Sequence, residues 1–261
     1  MLGKLLKYDL KRFFSWFWIL SLVTLACAGL TRLISLGNGI IFTVLGGIFQ
    51  GITIALIVNV VLQPFLRIFI NFNKDVYGDE GYLTNTLPVT KNQIFGSRLI
   101  SALIQMITAM IIFVVSLLIL FYTKYLGEGL KLIVEGTLNN IAPGYSPTGI
   151  IVLIVLILIF ELFTIMASAF TSIMVANNNL KSKKQLGAVL LTLLFAYVEN
   201  IVIGIISLLV CMAFGGNITA EILPPNAFIA MFVTMLLLNF VIIIVHLLVS
   251  KKIFNKGVNL D

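Results

Sequence analysis

Residues 148–176 read TGIIVLIVLILIFELFTIMASAFTSIMVA, and Glu161 is the one ionisable side chain among them. At about 1.5 Å per residue, a helix of this length exceeds the ~30 Å hydrocarbon core of a bilayer. Lipid offers no partner for backbone N–H and C=O groups, so a segment crossing it must pair them internally. The stretch therefore reads as a membrane-spanning helix. Five further runs have the same character, at 16–36, 40–66, 94–122, 186–214 and 227–249. The expected fold is an all-α polytopic membrane protein with six transmembrane helices, forming a single transmembrane domain over 1–261.

Composition agrees. The chain is 60% hydrophobic and 10% charged, against roughly 45–50% and about 25% for soluble domains. The polar gaps are too short to hold a soluble domain. Cys27 and Cys211 both lie inside apolar runs. They read as small buried hydrophobes, not as a disulfide framework or a metal cluster.

The basic residues are distributed unevenly. Lys4, Lys7, Lys11 and Arg12 precede the first span. Arg67, Lys74, Lys91 and Arg98 lie between or beside spans two and three. Lys181, Lys183 and Lys184 lie between spans four and five, and Lys251, Lys252 and Lys256 follow the sixth. All of these fall on one side. Only Arg32, Lys124 and Lys131 fall on the other. Cytoplasmic loops are the ones enriched in Lys and Arg, so both termini are expected in the cytoplasm. The same bias accounts for the net charge of +7 without any nucleic-acid partner.

Residues 1–15 form a separate pattern. Leu2, Leu6, Leu10, Phe13 and Phe17 recur at spacings of three and four, with the basic residues mostly opposite. The pattern fits an amphipathic helix in the membrane interface, or a cytosolic extension of the first span held near anionic lipid headgroups. The sequence ACA at 26–28 imitates a signal cleavage site. The apolar run continues past it to residue 36, and cleavage is not expected.

Residues 79–98, DEGYLTNTLPVTKNQIFGSR, interrupt the apolar pattern. The orientation places the gap 67–93 in the cytoplasm. Gly78 and Gly81 bracket Asp79 and Glu80, which predicts a turn or a short helix start. Pro88 favours an extended Leu87. Thr90 and Gln93 form a capping box, so a helix should start near Lys91. Tyr82, Leu83 and Leu87 are apolar side chains held close to the membrane surface. A bare connector could be much shorter; this segment has the mixed chemistry of a docking surface.

DEGYLTNTLPVTKNQIFGSRL at 79–99 resembles the "GYL…TLPV(S/T)…" segment of permease subunits of type 2 ATP-binding-cassette exporters. It looks most like those of bacterial peptide and bacteriocin exporters, a group that includes lantibiotic-immunity and phenol-soluble-modulin exporters. The basic N-terminus, six spans and cytoplasmic termini extend the resemblance over the whole chain. In that family the loop between spans two and three carries a coupling helix that fits a groove on the ATPase. The resemblance implies that Asp79, Glu80, Gly81, Tyr82 and Leu83 lie in or beside such a helix. It also implies a bacterial cytoplasmic membrane, a separate ATPase subunit carrying ATP and Mg, and a second permease copy, identical or paralogous. The implied substrate is an amphipathic peptide or another hydrophobic compound. The chain has no G-x-x-x-x-G-K-[ST] phosphate loop, so no cofactor is expected on it and ATP hydrolysis belongs to the partner. The turn at 177–185, with Lys181, Lys183 and Lys184, is a second candidate contact; the alternative is a basic turn that only sets topology.

Two acids interrupt the spans, Glu161 and Glu199. A charge at mid-bilayer costs roughly 2.5–3.5 kcal/mol on insertion scales. Both lie some 20–25 Å above the turn near 177–185, and should share a depth near mid-membrane. They face each other, or each bonds a neighbouring polar group such as Asn200. They are candidates for a polar patch on a substrate path, or are protonated carboxyls hydrogen-bonded between helices, since burial raises a carboxyl pKa. In a rival reading, a secondary transporter or channel, they carry protons or ions. A third reading is an assembly or sensor protein without transport. Interhelical hydrogen bonds are expected for His246, Asn59 and Asn239.

No enzyme motif is present. The single histidine excludes H-E-x-x-H chemistry, and no G-x-S-x-G occurs. No catalytic residue or metal site is expected. The gap 123–147 is the largest external loop, a cap or lid. The sequon NIT at 217–219 has no role in a bacterial protein.

Overall fold

The computed structural model describes residues 2–78, 81, 89–121, 136, 144–180, 182–216 and 224–256. Six long helices dominate: α1 Leu2–Ile34, α2 Ile40–Phe72, α3 Lys91–Phe121, α4 Pro147–Asn179, α5 Lys184–Ala213 and α6 Pro225–Lys256. Each is long and apolar enough to cross a membrane, and there is no strand among the described residues. The chain is thus an all-helical, multi-pass membrane protein. Helices of 30 to 33 residues extend ~45–50 Å and overhang a ~30 Å hydrocarbon layer. Their ends carry the polar chemistry.

Two compact units divide the chain near Gly127. In the first, α1, α2 and α3 pack pairwise. Buried positions on α1 run Phe13, Phe17, Ser21, Thr24, Ala28 and Thr31. These steps of four and three make one helical stripe. Phe13 and Phe17 stack at 4.5 Å and form a core with Val60 of α2 and Ala109 of α3. α1 runs unbroken, so residues 2–15 and the first span are one helix. The apolar stripe of its first turns ends in protein packing at Phe13 and Phe17. Lys4, Lys7 and Lys11 are exposed. Farther along, Thr31 and Thr53 share a hydrogen bond of 2.8 Å between α1 and α2.

α2 continues past the expected end at residue 66. Ile68, Phe72 and Val76 are all buried, and this four-residue spacing carries the helix on. Asn73–Tyr77 then winds as a π-helical turn. Helical structure therefore runs into the gap 67–93 as far as Tyr77. The Gly78 N–H donates to the Asn73 carbonyl at 2.8 Å. A Cβ at this position would lie 3.1 Å from the Lys74 carbonyl oxygen, a tight contact. The Gly81 N–H donates to the Gly78 carbonyl, in keeping with a turn. On the far side, the Thr90 N–H donates to Gln93 Oε1, and the Gln93 N–H to Thr90 Oγ1. This is the reciprocal capping box expected there, and α3 starts at Lys91.

In the second unit α4 packs against both α5 and α6, and those two pack together. Ser146 caps α4 by accepting from the Gly149 N–H, with Pro147 in the first turn. Thr164 bonds Asn239, and Thr171 meets His246. Both pairs are 75 residues apart, so α4 and α6 run parallel. The seven-residue step between the two pairs is the heptad period of closely packed helices. Small side chains on α4 (Ala167, Ser168, Ala169, Ser172 and Ala176) are fully buried and let backbones approach closely. α6 passes the expected end at 249 because Ser250 and Phe254 continue the buried positions of Asn239 and His246. Leu190, Leu193, Leu194, Tyr197 and Ile201 of α5 are exposed, as a lipid-facing surface requires.

Candidate functional site

At the end where the basic residues cluster, four charged side chains from three segments of the first unit converge. Arg98, in the second turn of α3, contacts Asp9 of α1. Its Nη1 also lies 2.8 Å from Asp75 Oδ2, on the π-helical turn. Arg12 of α1 reaches Asp75 Oδ1 at 2.8 Å, and Ser97 Oγ donates to Asp9 Oδ2 at 3.1 Å. The Asp75 side chain is 4% exposed and that of Arg98 17%. Two acids and two guanidinium groups balance, as buried charge must. The cluster has a consequence for the chain between its members. Asp75 stands before the polar segment and Arg98 after it, so their contact closes the base of 78–90. Asp9 and Arg12 tie α1 to the same point. A π-helical turn here is itself a feature that recurs at functional sites.

Sequence reading missed this cluster. In the sequence, Arg12 and Arg98 carry only the charge bias that sets orientation, and nothing in the local pattern pairs Asp9 with Asp75. The available signals were Asp9 one turn before Arg12, and Asp75 as an acid on the basic side of the chain. Of the predicted docking residues, Asp79, Glu80, Tyr82 and Leu83 lie outside the described residues, as does Lys181. Most of the external loop 123–147 also lies outside them, apart from Gly136 and residues 144–147. Gly81 is described and bonds Gly78. Lys183 is exposed and sits in the left-handed region (φ 53°) at the cap of α5, where Lys184 begins the helix.

The intramembrane acids do not pair with each other. Glu161 Oε1 accepts from Asn200 Nδ2 at 2.8 Å. Glu199 Oε1 lies 2.5 Å from His246 Nε2 on α6. Successive residues on a helix point about 100° apart, so Glu199 and Asn200 address different neighbours. The expected common depth of the two acids is met, because the residue next to Glu199 bonds Glu161. Glu199 also falls in the buried stripe of α5, between Thr192 and Ile203. The chain of polar groups continues: His246 Nδ1 is 2.8 Å from Thr171 Oγ1, which is 2.9 Å from Ser250 Oγ. His246 and Asn239 thus make the interhelical bonds expected of them. Asn59 is exposed on α2 and makes none among the described residues.

A pocket of about 460 Å³ opens near the other end of the first unit, lined by Thr31, Ser35, Thr43, Gly46, Gly47 and Gln50 among others. None of the described residues lining it is charged. No metal-binding group of acids, cysteines and histidine occurs among the described residues. Comparison with family models, curated proteins and solved structures found no match.

Proposed function

We propose that the chain is the membrane-spanning permease subunit of an ATP-driven exporter in a bacterial cytoplasmic membrane. It would work as a pair of permeases with a separate ATPase that carries ATP and Mg, and expel amphipathic peptides or similar hydrophobic compounds. One observation carries the reading most directly. The polar segment 78–90 leaves α2 through a π-helical turn and enters α3 through a capping box, and Asp75 and Arg98 join its two ends. A push on such a segment reaches α2 and α3 through that contact, and α1 through Asp9 and Arg12. Residues 79–83 would supply the surface the ATPase grips, with Lys183 and Lys184 as a lesser contact. The uneven distribution of Lys and Arg supports a cytoplasmic position for both.

The position of the segment is tested by labelling. Cys27 and Cys211 are replaced by alanine and Tyr82 by cysteine. In sealed right-side-out cells a membrane-impermeant maleimide should leave residue 82 unlabelled, and in inverted vesicles it should label it. Labelling from the outside would place the segment on the wrong face for an ATPase.

A further inference from the structure

The exporter reading makes no use of the pair Glu199–His246. This pair joins α5 and α6 within the membrane spans, and Thr171 and Ser250 extend it to α4. We propose that Glu199 and His246 form a proton-binding site in the second unit, with His246 Nδ1 as the atom that gains and loses the proton.

The geometry supplies hydrogen bonds for both states. With a neutral imidazole, Nε2–H donates to Glu199 Oε1 and Nδ1 accepts from the Thr171 hydroxyl. Ser250, 2.9 Å away, can then donate to Thr171. When a proton from water arrives at Nδ1, Nε2–H still donates to Glu199, and the new Nδ1–H donates to Thr171 Oγ1. The Thr171 hydroxyl must then turn its own hydrogen elsewhere. It has the Ala167 carbonyl at 3.2 Å and the His246 carbonyl at 3.3 Å. A hydroxyl is both donor and acceptor and rotates to suit, so no imidazole N–H is left unpaired in either state. A histidine with a purely structural role would need partners for one state only.

Charge points the same way. Glu199 Oε2 is buried and has no hydrogen-bond partner among the described residues. The His246 imidazole is thus the strongest neutralising group this carboxylate has. With Glu199 ionised, binding one proton takes the pair from a net charge of −1 to a neutral carboxylate–imidazolium pair, and an uncompensated charge in apolar surroundings is the costlier state. The other titratable groups on the three helices are placed elsewhere. Glu161 of α4 is held by Asn200. Tyr197 is 70% exposed on α5. Lys184 of α5 and Lys251, Lys252 and Lys256 of α6 lie at the basic end, and Cys211 lies near the opposite end of α5.

His246 is the only histidine in the chain, so imidazole nitrogen NMR reports on this site alone. The full chain, labelled with ¹⁵N-histidine in lipid nanodiscs, is titrated between pH 5 and 9. The proposal expects Nδ1 to convert from an acceptor-type to an N–H signal within that range while Nε2 remains protonated. Glu199→Gln removes the carboxylate charge. It should displace the conversion from its wild-type position. Thr171→Val, which keeps shape but removes the hydroxyl, should change the Nδ1 shift. An imidazole that stays in one state across the whole range overturns the proposal. So does a transition that Glu199→Gln leaves in place. The wild-type titration needs no variant to fold, and none of these readouts depends on an ATPase partner.

Discussion

Arg98→Ala should lower the stability of the protein by roughly 3–5 kcal/mol, the usual cost of breaking a buried ion pair from one side. The reason is the number of groups it serves. Arg98 contacts both Asp9 and Asp75, so its loss leaves one half-buried and one buried acid facing fewer positive charges. Arg98→Lys should recover only part of the loss, because an ammonium group lacks the planar fork that spans two carboxylates. Lys11→Ala is the control. Lys11 is exposed on α1, and a surface change of this kind falls within about 0.5 kcal/mol. Reversible unfolding in bicelles compares the three variants. An Arg98→Ala loss no larger than that of Lys11→Ala would show the cluster to be unimportant for the fold.

His246→Ala should be of similar severity, roughly 3–5 kcal/mol, because it strands Glu199 within the spans. The informative comparison is the double variant Glu199→Leu, His246→Leu. Replacing both members of a buried pair by apolar side chains is often neutral or stabilising. The double variant should therefore be more stable than His246→Ala, although it changes more atoms. Strict additivity, with the double variant worse than either single change, would contradict a paired role for these residues. Near-wild-type stability in the double variant is compatible with loss of proton binding, since stability and function are separate readouts.

The spans were legible because lipid removes the usual ambiguity of an apolar run. Residues 148–176 can only be a helix in that setting, and α4 matches at Pro147–Asn179. The start of α3 was legible for a local reason, the Thr90–Gln93 box, which needs no tertiary information. The end of α2 was not. Arg67 and Lys74 drew attention to polarity, while the stripe Ile68, Phe72, Val76 governed the packing. Partner choice inside the membrane depended on the rotation of each helix about its axis. Periodicity places Glu199 at a depth but does not say that α6, and not α4, lies opposite. The cluster of Asp9, Arg12, Asp75 and Arg98 was hidden for a similar reason. Its members are far apart in sequence, and only the register of three overhanging helix ends brings them together.

In the proposed function, the segment between α2 and α3 is where an ATPase docks. The direct measurement is co-purification from the native membrane in mild detergent, with wild type beside a Glu80→Arg, Tyr82→Ala variant shown to be folded. The account predicts an ATPase subunit of roughly 25–35 kDa, the size of a small domain or two, with the wild type and its loss from the variant. A folded wild-type protein that brings down no ATPase, or a variant that retains it in full, would contradict the account.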